Sequence, residues 1–327
     1  MARRLAARAE TWPIAGAFAI SRSVVTEVRL VVVEIAEGDA VGRGECRPYP
    51  RYDETPEKTL AQIEALRGRI EAGLEREELQ EALPACAARN ALDCALWDLE
   101  SKRTGVPVWR RARLPEPRPV TTAYTISLDS PEAMRAQAAA NRDRPLLKVK
   151  LGAEGVIARL RAVREGSPAA RIVADANEAW SIPLLHELAG DLAALGVEMI
   201  EQPLRAGEDA GLAELAYPVA LCADESFHDR ASLASLAGRY RLVNVKLDKT
   251  GGLTEAIALA DAARAAGFEL MVGCMVATGL AMAPAALLAP LARVVDLDGP
   301  LILARDRTPG IRYDGGTMHP PPRELWG

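Results

Sequence analysis

The sequence predicts an α/β protein: a modified TIM barrel, (β/α)7β, with an N-terminal α+β capping domain. Three observations lead there. From residue 120 onward, short apolar runs alternate with longer Ala- and Leu-rich segments of helical period, as in repeated βα units with a parallel sheet. Charged residues recur at the ends of those runs about once per unit. The section before residue 110 shows paired strands followed by helices instead.

In chain order, "TEVRLVVVEIAEG" and "AVGRGECRPY" read as an antiparallel strand pair, and helices follow around residues 56–73 and 85–103. In "AARNALDCALWDLESK" the apolar positions Ala88, Ala91, Leu92, Ala95, Leu96 and Leu99 repeat with helical spacing and make an amphipathic helix. The Pro- and Arg-rich "RRARLPEPRP", residues 110–119, suits a linker. It divides a capping domain over residues 1–112 from a barrel over 113–304, and the tail 305–327 is expected to pack back on the first domain. The eight barrel strands are "VTTAYTISL", "LLKVKLG", "RIVADAN", "VEMIEQP", "VALCADES", "RLVNVKLD", "ELMVGCM" and "RVVDLDG". The helices between them include "GLTEAIALADAARAAG", residues 252–267.

Composition narrows the function. A formal charge of -5 on 327 residues leaves no electrostatic footprint for nucleic acid or an anionic membrane, so the expected partner is a small molecule. No apolar run approaches the roughly 20 residues of a spanning helix. The basic start "MARRLAARAETWPI" lacks the apolar core of a signal peptide, which makes a cytoplasmic location the expectation. Five scattered cysteines suggest neither a disulfide framework nor a thiolate zinc site. With three histidines in the chain, acid-base chemistry must rest mainly on other groups. A homo-oligomer is compatible with this composition and is not established by it.

Lys150, Asp175, Glu201, Asp224, Lys246 and Asp296 stand near the C-terminal ends of predicted strands. The first five are roughly 22 to 26 residues apart, about one βα unit, so they converge on the mouth where TIM barrels hold their active sites. Asp175, Glu201 and Asp224 come from successive strands. Three carboxylates around one point need a cation, and hard oxygen donors without nearby histidine or cysteine favour one Mg²⁺, with Mn²⁺ as a substitute. Asn177 shares the face of Asp175 and is expected to support the site, whereas Glu225 should point elsewhere. In "NVKLDKTGG" strand alternation places Asn244, Lys246 and Asp248 on one face, with Lys246 in the interior and Lys249 in the loop. Lys148 and Lys150 also share a face, opposite Lys246 across the barrel. Burial and the charge of Lys148 are expected to lower the pKa of Lys150 and free its amine as a base. A cation flanked by two such lysines suits removal of a proton α to a carboxylate, with the enediolate reprotonated from the other side and the centre inverted.

These residues resemble the enolase superfamily, in its muconate-lactonizing-like subgroup, and most closely the dipeptide epimerases of the L-Ala-D/L-Glu epimerase type. The resemblance covers nearly the whole chain through "ECRPYPRYDET", "AARNALDCALWDLE", "LLKVKLG", "VADANEAW", "EQPL", "CADES", "NVKLDKTGGLTEA", "GCM" and "DLDGP". It implies Asp175, Glu201 and Asp224 as Mg²⁺ ligands, Lys150 and Lys246 as the two acid-base catalysts, and Lys148 as the residue that polarises the substrate carboxylate. It further implies that Asp296 and Asp298 hold the α-ammonium of a dipeptide, with recycling of cell-wall murein peptides as the expected role. A bland strand exit and a second metal site are the other readings of that pair. Thr125 and Cys274 end the first and seventh strands, where further substrate contacts fall. Arg22, or the cluster Tyr49, Arg51 and Tyr52, offers a cationic rim for an acidic side chain. The turn after "GCM" lacks the Glu found in some relatives, which leaves the side-chain preference open. An o-succinylbenzoate synthase or muconate-type cycloisomerase shares the metal and lysines, and a ligand-sensing inactive barrel is an alternative of another class.

Overall fold

The computed structural model describes residues 3–327. Three antiparallel strands open the chain: β1 (Arg4–Ile20), β2 (Ser23–Glu37) and β3 (Ala40–Cys46). The pairing of β2 with β3 matches the sequence reading. β1 does not appear in it, because its Ala- and Arg-rich first half has no strand propensity of its own. It is a strand because it pairs with β2, from Arg4 opposite Ala36 to Ile20 opposite Ser23. Four helices follow: α1 (Pro56–Ala65), α2 (Arg67–Glu71), α3 (Arg76–Ala82) and α4 (Ala87–Thr104).

The α4 helix lies between sheet and barrel and is buried along almost its whole length. Its small residues meet β3, where a Cβ on Gly44 would come within 2.0 Å of Ala91 O and one on Gly42 within 2.1 Å of Ala95 O. Glycine at both positions is what lets strand and helix backbones approach so closely. On the barrel side, Asn90 donates to Asp248 at 2.7 Å, Arg89 to Thr250 O at 2.7 Å, and Asp93 accepts from the Thr254 amide and hydroxyl at 2.9 and 2.6 Å.

The predicted first barrel strand is divided in two. β4 (Val120–Thr121) leaves the barrel to pair with the tail hairpin of β13 (Tyr313–Asp314) and β14 (Thr317–Met318), and only β5 (Tyr124–Ile126) is a barrel strand. Seven more parallel strands follow: β6 (Leu146–Lys150), β7 (Arg171–Asp175), β8 (Val197–Glu201), β9 (Ala220–Ala223), β10 (Leu242–Val245), β11 (Glu269–Gly273) and β12 (Val294–Asp296). They lie side by side in sequence order. Ala123 N donates to Val295 O at 2.8 Å and closes the ring. Beyond β14 the tail reaches α4, where Trp326 Nε1 donates to Cys94 O at 3.0 Å and Gly327 N to Asp98 at 2.8 Å. No helix among the described residues is long and apolar enough to cross a membrane.

The barrel interior is layered. Its lower layer is apolar, with one residue in or beside each strand: Ala123, Leu146, Val173, Met199, Cys222, Leu242, Met271 and Val294. Because side chains alternate, the inward residue two positions further along each strand forms the next layer. Those residues are Thr125, Lys148, Asp175, Glu201, Asp224, Asn244, Gly273 and Asp296. A dry floor therefore carries an almost wholly polar layer at the C-terminal mouth.

Candidate active site

The mouth opens into a cavity beneath the capping domain, and Thr125, Lys148, Lys150, Lys246, Asp296 and Asp298 all line it. Asn177, Asp224, Glu225 and Cys274 line it from the barrel side, and Phe18, Arg22, Arg47, Tyr49 and Tyr52 from the capping side. The β6 and β10 strands are four apart in a ring of eight, so Lys150 and Lys246 enter from opposite walls.

Each carboxylate is drawn to an ammonium. Asp175 lies 2.6 Å from Lys150 and 3.1 Å from Lys148, and these lysines hold it below the usual carboxylate range against the pull of burial. Asp224 lies 2.6 Å from both Lys246 and Lys249, which hold it low in the same way. Glu201 sits between them with Oε1 accepting from Asn244 at 2.8 Å, while its Oε2, 2.7 Å from Lys148, accepts no hydrogen bond. Burial, then the neighbouring Asp175, push Glu201 up to about 8. Among the described residues no three acidic, His or Cys side chains meet as a finished metal cluster. The parts nevertheless fit a hard cation: three buried carboxylates on adjacent strands, one with an orphaned oxygen and a proton affinity raised by its neighbours. A cation there relieves that repulsion.

Three expectations need correction. Lys249 is not an outer loop residue. The β10 strand ends at Val245, and a single helical turn over Leu247–Thr250, stopped by Gly251 at φ +72°, folds the Lys249 amine back onto Asp224 and onto Asn244 O at 3.2 Å. The same turn takes Asp248 away from the mouth toward Asn90 and Arg47 N. Glu225 faces the cavity, with an ion pair to Arg22 at 2.9 Å. Against burial, Asp296, Glu201 and Asp175 raise Lys148 well above its ordinary value, and Asp224 and Glu201 do the same for Lys246.

Asp296 accepts from Lys148 at 2.7 Å, whereas Asp298 accepts from Thr125, whose backbone N–H lies at 2.6 Å. Among the described residues Asp298 has no ion-pair partner within 4 Å, and burial followed by the charge of Asp296 pushes it up to about 7. Cys274 lines the wall beside them. Its thiol is raised by burial and then by Asp296 and Asp298. Arg22, at the β1–β2 turn, reaches the mouth already tied to Glu178 at 2.7 Å, to Glu225 and to Asn177 O. Arg51 pairs with the same Glu178. The sequence reading did not single out Phe18 and Arg47, which come from the capping domain, or Gln202, which directly follows Glu201 at the end of β8, because none of them belongs to the periodic pattern of charged strand ends.

Two family models match the chain. Residues 2–110 match the mandelate racemase / muconate lactonizing enzyme N-terminal domain, and residues 133–324 match the enolase C-terminal domain-like family. An L-Ala-D/L-Glu epimerase of Escherichia coli (strain K12) is 46% identical over 312 residues, covering 95% of this chain and 97% of that protein. An N-acetyl-D-glutamate racemase of Pseudoalteromonas sp. is 47% identical over 302 residues, covering 91% and 95%. A solved enolase family member from Agrobacterium tumefaciens with homology to dipeptide epimerases, holding sodium and L-Ala-L-Glu, superimposes with a TM-score of 0.98 at 50% identity, covering 99% of this chain and all of that one. Dipeptide epimerases of the same fold have been solved with Mg and a dipeptide bound.

Proposed function

The chain belongs to the mandelate racemase / muconate lactonizing enzyme family with its enolase-like C-terminal domain, and from that premise we propose that it is a Mg²⁺-dependent dipeptide epimerase. It inverts the α-carbon of the C-terminal residue in substrates of the L-Ala-D/L-Glu type. Asp175, Glu201 and Asp224 would hold the cation, which when bound offsets negative charge developing on the substrate carboxylate. Lys148, kept charged by three carboxylates, polarises the same carboxylate. Lys150 and Lys246 work from opposite walls, one removing the α-proton and the other supplying a proton to the far side. Thr125 and Cys274 complete the wall beside the amino terminus, and Thr125 acts through its backbone N–H on Asp298. For Arg22 to receive an acidic substrate side chain, its fork must give up Glu178 or Glu225.

One observation carries the choice of a dipeptide. Asp298 is a buried carboxylate beside Asp296 with no cation of its own among the described residues, and a substrate α-ammonium supplies the missing charge. The cycloisomerase and o-succinylbenzoate readings offer that carboxylate no ammonium. A second reading, racemisation of N-acetylglutamate, is favoured by the Pseudoalteromonas relative and uses the same lysines without an ammonium. Proton NMR in D₂O with Mg²⁺ separates them. Epimerisation and α-deuteration of L-Ala-L-Glu with little effect on N-acetyl-L-glutamate supports the dipeptide reading, and the reverse result establishes the second.

A further inference from the structure

We propose that Gln202 is a positioning residue that sets the third metal ligand, and that Asp209, acting through two hydroxyls, reinforces the direction in which its amide points. The proposal rests on the reading of Asp224 as a cation ligand and adds a reason for its placement. Gln202 follows Glu201 directly, is fully buried, and has a backbone φ of +36°, in the left-handed region that costs a non-glycine residue energy. That conformation lets its backbone bridge neighbouring ligand loops: its N–H donates to Cys222 O at 2.9 Å and its carbonyl accepts from Glu178 N at 2.8 Å. Its side-chain carbonyl accepts from Asp224 N at 2.9 Å and Ser226 N at 3.0 Å. The chain on either side of Glu225 is thus held by one oxygen. The loops after β7, β8 and β9, which follow the three carboxylates, all meet at this residue.

The orientation of the amide follows from proton accounting. Asp209 is buried and, as a carboxylate, only accepts. Ser226 Oγ donates to it at 2.6 Å and Tyr240 OH at 2.8 Å, with Arg239 pairing its other oxygen at 3.1 Å. Each hydroxyl has one proton, and both protons are used on Asp209. Toward Gln202 the two hydroxyls can therefore only accept, so the amide NH₂ must face them, at 2.9 and 3.2 Å, together with Leu204 O at 2.8 Å. The carbonyl is left facing the Asp224 and Ser226 N–H groups. Asp209 thus acts on Asp224 through two hydroxyls and one amide, without touching the catalytic cavity.

The test uses Mn²⁺ as the probe and the full-length protein, with bound and free ion counted by electron paramagnetic resonance. Gln202→Met keeps length and removes both polar ends. Asp209→Asn keeps volume but gives one of the two oxygen positions to an NH₂ donor: facing Ser226 and Tyr240 it turns their protons toward Gln202, and facing Arg239 it sets donor against donor, so either placement disturbs the network behind the amide. Both variants should weaken Mn²⁺ by about tenfold to a hundredfold, the usual effect of losing an outer partner of a metal ligand. In steady state, raising Mg²⁺ should restore most of the lost turnover, a response that a purely structural role would not give. A rise in the Mn²⁺ Kd below about fivefold in either folded variant overturns the proposal. If Gln202→Met does not fold, Asp209→Asn alone decides it. Failure of wild-type protein to bind Mn²⁺ would instead overturn the reading of the carboxylates as a metal site.

Discussion

Asp298→Asn is the sharpest probe of what the cavity binds. Asp296 is the less clean target, because removing its charge also takes away one of the three anions that hold Lys148. Asp298 has the Thr125 amide as its hydrogen-bond partner, and an Asn carbonyl can keep that bond. What the substitution deletes is a buried negative charge facing the substrate ammonium, and it points an N–H toward that cation. Removing one partner of a buried, hydrogen-bonded charge pair costs about 2–5 kcal/mol. That range corresponds to roughly a 30-fold to several-thousand-fold loss in kcat/KM. Steady-state kinetics on L-Ala-L-Glu and N-acetyl-L-Ala-L-Glu, for wild type and variant, supply the assay. The wild type should prefer the free amine, and the variant should lose most of that preference while changing little with the acetylated compound. With Asp298 pushed up to about 7, its charged form grows as pH rises, so the preference should strengthen from pH 6 to about pH 7.5 and fall again as the substrate α-ammonium, ordinarily about 7.7–8.0, loses its proton. A variant that loses nothing on the free dipeptide, or a wild type that favours the acetylated one, refutes the ammonium site.

Three further outcomes follow from other parts of the molecule. Chelation should abolish activity and added Mg²⁺ restore it, and Glu201→Gln should bind Mg²⁺ more weakly by calorimetry; full turnover by chelator-treated protein contradicts this. Asp93, buried at the contact between α4 and the barrel, is raised by burial from 3.8 to about 6, so the folded state binds its proton more tightly than the unfolded chain. Its contribution is therefore most favourable below pH 4 and is lost as pH rises through about 6, by on the order of 3 kcal/mol. Urea unfolding between pH 4 and 7.5 should show a flatter pH dependence for Asp93→Asn than for wild type, and identical slopes would contradict the assignment. Gly44→Ala puts a methyl carbon against Ala91 O and should destabilise the protein by about 1–3 kcal/mol in the same assay, with an unchanged midpoint as the contrary result.

The barrel was legible because its strands are buried on both sides and read as short apolar runs, and because period-two alternation carries the charged residues to one end. The same rule placed Lys148 and Lys150 together on the inward face. It failed at Asp248 and Lys249 because alternation was extended past Lys246, where a helical turn begins and exchanges the facing of these two side chains. β1 was illegible for a different reason. Its seventeen residues owe their conformation to pairing with β2, and pairing across a turn leaves no local signature in an Ala-rich segment. The division of the first barrel strand likewise depends on β14, about two hundred residues away in sequence. Charge patterning brought these residues to one mouth but did not show which carboxylate each ammonium meets, so the raised state of Lys148 and Lys246, set by Asp296, Asp224 and Glu201, was not legible.

Stereochemistry gives the most direct test of the central claim, that Lys150 and Lys246 serve opposite faces of one α-carbon. Lys150→Met and Lys246→Met are each incubated in D₂O with Mg²⁺ and, separately, with L-Ala-L-Glu and L-Ala-D-Glu, and the glutamate α-proton is followed by NMR. A single remaining base can remove and return a proton only on its own side. Neither variant should epimerise either substrate, and each should exchange the α-proton of one isomer only, the two variants choosing opposite isomers. Net epimerisation by either variant, or equal exchange of both isomers, would contradict the account.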